Sequence, residues 1–208
     1  MASSVIHMAV CNEINKKLKR NNSKILIGTI AADISKLVGE TKYYSHFLDD
    51  SYDIPNLYKF LTKYKYNLDD DFVLGYYIHL YTDYLWFKYF VTDFLNEDMI
   101  TKLDGTIINC HGNMAINYIY NDYTNLNIQI IDEYNLDLKI FYNEIPVFNN
   151  IIEEISIDKL YLIINKTEQI IENSKQTKEL VFNMENINKF ISLCVDIISS
   201  DLRSLGVL

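Results

Sequence analysis

Apolar residues recur every three or four positions along much of the chain, which is the spacing of one face of an α-helix. Near the start, this spacing predicts a first helix over residues 4–20, and the nearly all-apolar run ILIGTIAADI predicts a short buried helix after it. Residues 34–54 mix Gly, Ser and Asp with apolar residues and predict an irregular active-site loop. Pro55 suits the first turn of a helix over residues 55–65.

Residues 70–96 form the strongest predicted helix. Asp69, Asp70 and Asp71 lie at its start, where their negative charge complements the helix dipole. A connector containing Gly and Asn is expected over residues 98–113. Further helices are predicted at 114–133, 136–144, 157–173 and 185–204. The pattern therefore predicts an all-α fold, with a metal-binding helical domain over residues 1–150 and a C-terminal helical extension over residues 151–208 packed on it.

Composition and charge narrow the classes of partner. The chain has only 6 Gly and 2 Pro among 208 residues, which favours long helices over a turn-rich β fold. Its formal net charge of -9 repels a polyphosphate backbone, so nucleic acid is not a favoured partner. A single phosphate ester bound at a metal ion stays compatible with that charge, because the ion dominates the local field.

The expected compartment is the cytoplasm. The three cysteines are far apart and form no CxxC pair, which argues against a disulfide framework. Basic residues follow the short apolar run at the N-terminus, whereas a secretory signal would place them before it. The most apolar stretch, residues 72–95, is interrupted by His79, Asp83, Lys88 and Asp93, so no membrane span is predicted.

His79 and Asp83 lie four residues apart on the strongest predicted helix, so their side chains share one face. A His nitrogen and a carboxylate oxygen at this spacing can bind one ion at about 2.0–2.2 Å. The alternative is a hydrogen-bonded structural pair within an aromatic helix. His7 and Asp33 also lie beside apolar segments, where an unpaired polar group is costly. Together with His46, these side chains predict a shared metal site.

Two further residues have open roles. His111 either completes a second site or lies in an exposed loop, and the following Gly112 and Asn113 favour the loop. Asp122 either approaches the site or substrate from a later helix or is a solvated or capping aspartate, and the second role is favoured.

Four segments in order resemble the zinc-dependent phospholipase C family, which is related to single-strand-specific nucleases. They are HMAVCNEI, IGTIAADIS, KYYSHF and GYYIHLYTDYLW, and they span roughly residues 5–90. The family's early His falls on His7, its apolar-segment Asp on Asp33, its Ser-His-Phe on residues 45–47, and its helical His-x-x-x-Asp on His79 and Asp83. Ala32 replaces the proline that often precedes the Asp.

The resemblance implies a helical bundle of the phospholipase C and nuclease type. It also implies that one metal site is formed by Asp33, His46, His79 and Asp83. A second ion would be bound by His7, with Asp83 bridging the two ions. Asp33 would be the catalytic residue and would accept a proton from water. Further ligands of the secreted members are missing here, because Tyr89 stands where a His might be expected and Ala115 follows His111 at the fourth position. One or two ions are therefore expected.

The leading hypothesis is a metal-dependent hydrolase of phosphate monoesters or diesters, with a small phosphate ester or a phospholipid headgroup as substrate. Zinc suits imidazole and carboxylate ligands, and iron, manganese or nickel also fit them. A second hypothesis is a non-catalytic all-α metal-binding or interaction protein derived from the same family. A third is a helical packing domain without metal. The sequence gives no prediction of oligomeric state.

Overall fold

The computed structural model describes residues 1–49, 54–110 and 114–208. It confirms the all-α prediction, with 65% helix and 4% strand. In chain order, the α-helices of the described residues are α1 (Ser4–Leu18), α2 (Asn22–Ala31), α3 (Lys42–Ser45), α4 (Leu57–Tyr64), α5 (Asp71–Leu85), α6 (Met114–Glu133), α7 (Leu160–Glu172) and α8 (Met184–Ser204). Short 3-10 helices occur at Ala32–Leu37, Lys65–Asn67, Val91–Asp93, Leu138–Phe141 and Ile157–Lys159.

The predicted helix over residues 70–96 is shorter in the structure. Asp70 caps it by accepting hydrogen bonds from the backbone N–H groups of Phe72 and Val73, and its α-helical part ends at Leu85. A π-helical turn, Trp86–Phe90, continues it. There the buried Trp86 ring packs against Phe90, with centroids 4.3 Å apart. Close aromatic packing therefore accompanies the change from α-helical to π-helical hydrogen bonding at the end of this segment.

Two expected elements differ from the structure. The predicted connector contains a small antiparallel sheet of β1 (Leu95–Asn96), β2 (Met99–Thr101) and β3 (Ile107–Asn109), in that order. Ile100 pairs with Leu95 on one side and Ile108 on the other, and it is fully buried. The predicted helix 136–144 is only the 3-10 turn Leu138–Phe141.

Helices α2 and α5 pack closely because each carries a glycine at their contact. A Cβ atom added to Gly28 would lie 2.2 Å from the carbonyl oxygen of Phe72, and one added to Gly75 would lie 2.1 Å from that of Ile25. These distances are far below a normal van der Waals contact, so only glycine fits. Helix α1 packs on this pair, α8 lies on α1 and α5, and α7 lies on the segment after α2. The division of the chain at residue 150 stays a prediction.

Within the described residues, no helix has both the length and the apolar character needed to cross a lipid bilayer.

Candidate metal centre

A buried polar cluster lies where α1, α5 and the segments after α2 and α3 meet. It contains all five residues that the sequence predicts as metal ligands. His7 comes from α1, His79 and Asp83 come from α5, Asp33 lies in the 3-10 helix Ala32–Leu37, and His46 directly follows α3. The three histidines and Asp83 are at most 1% exposed, and Asp33 is partly exposed. The fold thus brings together side chains that are up to 76 residues apart in sequence.

His46, His79 and Asp83 have the spacing of ligands around one ion, and Asp33 lies beside His46. The Nε2 atoms of His46 and His79 are 3.2 Å apart, and Asp83 Oδ2 lies 3.5 Å from His79 Nε2 and 3.7 Å from His46 Nε2. Asp33 Oδ1 lies 3.7 Å from His46 Nε2. Tetrahedral zinc with bonds of about 2.0–2.1 Å separates neighbouring ligand atoms by about 3.3 Å. The observed separations are therefore compatible with a zinc site.

His7 extends the cluster on the other side of Asp83. Its ring stacks on that of His79 with centroids 3.9 Å apart, and its Nε2 lies 3.2 Å from Asp83 Oδ1. Ligand atoms of His7, His79 and Asp83 all lie within 4.8 Å of one another, as do those of Asp33, His46 and His79. Two overlapping groups could therefore hold a metal ion, and the two oxygens of Asp83 face different histidines.

Hydrogen bonds outside the cluster set the orientation of two rings. His79 Nδ1 lies 2.7 Å from the carbonyl oxygen of Thr29, which can only accept, so Nδ1 carries the proton and Nε2 offers a lone pair to the cluster. His46 Nδ1 lies 2.9 Å from Ser45 Oγ, and that hydroxyl donates to Ser35. Partners of this kind fix metal-binding histidines in other proteins.

Several buried atoms of the cluster have no hydrogen bond. Among the residues that the structure describes, both ring nitrogens of His7 and Oδ2 of Asp83 lack a hydrogen-bond partner, although His7 Nε2 lies 3.2 Å from Asp83 Oδ1. Each such buried group costs about 1–3 kcal/mol. Imidazole nitrogens and carboxylate oxygens are also ligands that zinc prefers. The chemistry of the unpaired atoms therefore fits a metal ion.

Lys42 also belongs to this cluster, although the sequence analysis did not identify it. Its ammonium donates to Asp33 Oδ1 and contacts the sulfur of Met1, and it lies 3.5 Å from His46 Nε2. Lys42 and His46 are four residues apart, a spacing that could have indicated their proximity. Lys42 already pairs with Asp33 in this structure, so an ion bound by Asp33 requires the ammonium to move.

The pKa values of His7, His46 and Asp83 are shifted by their surroundings. Burial and the neighbouring His79 lower the pKa of His7 to about 4. Burial and Lys42 lower the pKa of His46 well below its usual value. Burial alone would raise the pKa of Asp83, but His7 and His79 outweigh it and hold that pKa well below its usual value. Near neutral pH, His7 and His46 are therefore neutral and Asp83 is ionised, which are the forms that bind metal.

The metal-free protein is expected to lose stability as the pH falls below about 6.5. The unfolded chain protonates His7 near pH 6.5, whereas the folded protein resists protonation until about pH 4. Between these values the unfolded state binds more protons, and one such group lowers the free energy of unfolding by up to about 1.4 kcal/mol per pH unit. Urea unfolding of chelator-treated protein at pH 7.5 and 5.5 measures this loss, and equal values would contradict it.

Two cavities reach the cluster from the surface. One, of about 450 Å³, is lined by Lys42 and His46 and has apolar walls that include Trp86 and Ile119. The other, of about 400 Å³, is lined by Asp33 and by residues of α6 and α7. Both lie within the size range of small-molecule sites. The residues that line both cavities are Met1, Lys36, Tyr120 and Tyr123.

Of the two residues of open role, Asp122 forms hydrogen bonds away from the cluster. The carboxylate of Asp122 accepts hydrogen bonds from the backbone N–H groups of Leu180, Val181 and Phe182, at 2.9, 2.6 and 3.0 Å. Asp122 therefore holds the segment before α8 against α6, and a role at a second ion or substrate stays a prediction. His111 lies outside the described residues.

Comparison of the chain with models of known protein families, with curated proteins and with solved structures finds no match.

Proposed function

We propose that this protein is a metal-dependent hydrolase of phosphate esters, with zinc as the metal that its ligands fit best. The observation that carries the proposal is the convergence of three histidines and two aspartates, with unpaired buried atoms on His7 and Asp83. Iron, manganese and nickel are compatible with the same ligand types. The resemblance to zinc-dependent phospholipases C agrees with this function, and the relationship itself stays a prediction.

Under this proposal, Asp33, His46, His79 and Asp83 hold one ion, and His7 with Asp83 contributes to a second. A bound ion supplies Lewis acidity, which lowers the pKa of water and offsets negative charge on a phosphoryl group. The protein's own part is to place these ligands in a dry pocket. The burial of His7, His79 and Asp83 excludes bulk water from one side, and the two cavities give solvent and substrate access to the cluster.

Asp33 is the residue best placed to take a proton. Its carboxylate is partly exposed and lines the 400 Å³ cavity, whereas Asp83 is fully buried. Lys42 and Lys36 line the 450 Å³ cavity and supply positive charge for an anionic ester. A small phosphate ester or a phospholipid headgroup matches this charge and the cavity volumes.

The second candidate is a non-catalytic metal-binding or interaction protein. The contact between Lys42 and Asp33 favours it, because an ammonium already neutralises the proposed proton acceptor. In that case, His7, His79 and Asp83 alone would retain an ion. An assay of ester hydrolysis separates the two candidates, because only the first predicts turnover.

The test combines metal analysis with turnover. Protein as purified is assayed for bound zinc, iron, manganese and nickel, and for hydrolysis of bis(p-nitrophenyl) phosphate and p-nitrophenyl phosphate. We expect at least one ion per chain, and turnover of at least one ester that chelation abolishes and zinc restores. Bound metal without turnover supports the second candidate. Absence of metal, together with a melting temperature indifferent to added zinc, contradicts both.

A further inference from the structure

Two imidazole nitrogens of the cluster face each other with their lone pairs. His79 Nδ1 donates to the carbonyl oxygen of Thr29, so its Nε2 carries a lone pair. The Ser45 hydroxyl donates to Ser35 and therefore accepts from His46 Nδ1, which leaves a lone pair on Nε2 of that ring as well. The two Nε2 atoms are 3.2 Å apart. Lone pairs at this distance repel each other, so a cation beside them is stabilising.

Lys42 supplies a cation at this position. Its ammonium donates to Asp33 Oδ1 and lies 3.5 Å from His46 Nε2. Asp33 and His46 are also candidate ligands of a metal ion. An imidazole nitrogen has one lone pair, which either accepts a hydrogen bond from the ammonium or binds an ion. The ammonium and an ion held by Asp33 and His46 therefore exclude each other.

The 450 Å³ cavity offers a displaced ammonium a new position and a new partner. Lys42 lines this cavity, and its side chain is 14% exposed, so its flexible stem can turn toward solvent. Lys36 lines the same cavity and adds a second positive charge. An anionic phosphoryl group is a partner that such ammonium groups bind with charge-assisted hydrogen bonds.

We propose that Lys42 is an exchangeable cation, whose ammonium pairs with Asp33 and His46 until an ion replaces it and then binds the phosphoryl group of the ester in the 450 Å³ cavity. The inference rests on the proposed hydrolase function and adds a substrate-binding residue that the ion releases. Ion and ester thus favour each other's binding, because each stabilises the arrangement that the other needs.

The test measures zinc affinity, by competition with a chromogenic chelator, and phenylphosphonate affinity, by calorimetry. We expect Lys42→Leu to bind zinc roughly tenfold more tightly than wild type, the range of one hydrogen bond to a charged group. When loaded with zinc, this variant should bind phenylphosphonate roughly tenfold more weakly, for the same reason. The matched control is Lys36→Leu, which removes the same charge from an exposed position of the cavity lining. Its zinc affinity should stay within about threefold of wild type.

The opposite signs of the two changes distinguish exchange from a structural role of Lys42, because a loosened cluster would lose both affinities. Circular dichroism establishes that each variant is folded. Zinc and phenylphosphonate affinities that fall together, or either affinity unchanged, overturn the exchange. Neither measurement requires turnover, so opposite changes in a protein that hydrolyses no ester support the exchange and contradict the hydrolase.

A measurement on wild type alone covers the case in which Lys42→Leu does not fold. Acetic anhydride labels lysine amines, and mass spectrometry follows Lys42 and Lys36 separately before and after zinc is added. We expect zinc to raise the labelling of Lys42 several-fold, because its amine leaves Asp33, and to leave the labelling of Lys36 unchanged. Equal labelling of Lys42 with and without added zinc overturns the exchange.

Discussion

Asp83→Asn is expected to remove bound metal and to lower kcat/KM for phosphate esters by more than about a hundredfold. Asp83 is the carboxylate whose oxygens face His7 on one side and His46 and His79 on the other. Changes to the outer partners of metal ligands already cost about 10–100-fold in metal affinity or activity. Loss of a charged ligand shared by two groups should cost more. Elemental analysis and ester turnover measure the effect.

The matched control for this variant is Asp122→Asn. Asp122 is equally buried, but its carboxylate accepts backbone hydrogen bonds from the segment before α8. The control should therefore lower the free energy of unfolding while leaving metal content per folded molecule unchanged. Circular dichroism establishes that each variant is folded before metal is counted. An Asp83→Asn protein that is folded and keeps both its metal and its turnover would contradict the proposed centre.

Gly75→Ala is expected to lower the free energy of unfolding by about 3 kcal/mol or more. The added methyl carbon would lie 2.1 Å from the carbonyl oxygen of Ile25 and 3.0 Å from the amide nitrogen of Thr29, so α2 and α5 must move apart. Overpacking of a core costs typically about 1–3 kcal/mol, and here the obstacle is backbone, which yields less than a side chain. Urea unfolding followed by circular dichroism measures the change.

Gly105→Ala provides the comparison for this variant. Apart from the two adjoining residues, no atom of the described part of the chain lies within 4 Å of an added Cβ there, and the expected cost comes from the positive φ of 81°. A left-handed conformation costs a non-glycine residue about 1–2 kcal/mol. Comparing the two variants thus separates the loss of stability caused by close packing from the loss caused by backbone conformation. If Gly75→Ala unfolds at the same urea concentration as wild type, the α2–α5 contact is not as close as described.

Much of the fold follows from local sequence patterns. The apolar spacing of α1 predicts that helix within two residues of both ends, and the aspartates before α5 predict where that helix begins, although the predicted segment runs on to residue 96 and α5 ends at Leu85. The small sheet was not predicted, because its strands are two or three residues long and offer too few positions for an alternating pattern. The π-helical turn after Leu85 depends on aromatic packing against later segments, which periodicity does not describe.

The residues of the candidate site likewise differ in whether the sequence predicts them. His7, Asp33 and Asp83 stand out in sequence because a polar side chain within an apolar run needs a partner. Lys42 does not stand out, because a lysine in a polar loop is ordinary, and its place beside Asp33 results from how α3 folds back on the segment after α2.

Gly75, His79 and Asp83 occupy successive turns along one stripe of α5, and the close approach of α2 brings the Thr29 carbonyl to His79. The contact between α2 and α5 consequently sets both the distance between the two helix backbones and the orientation of the His79 ring. Transplanting this centre into another helical scaffold would require both helices and both glycines, since the histidine–aspartate pair alone lacks the carbonyl that orients it. For the same reason, mutations that loosen this helix pair should impair ion affinity before the protein as a whole unfolds.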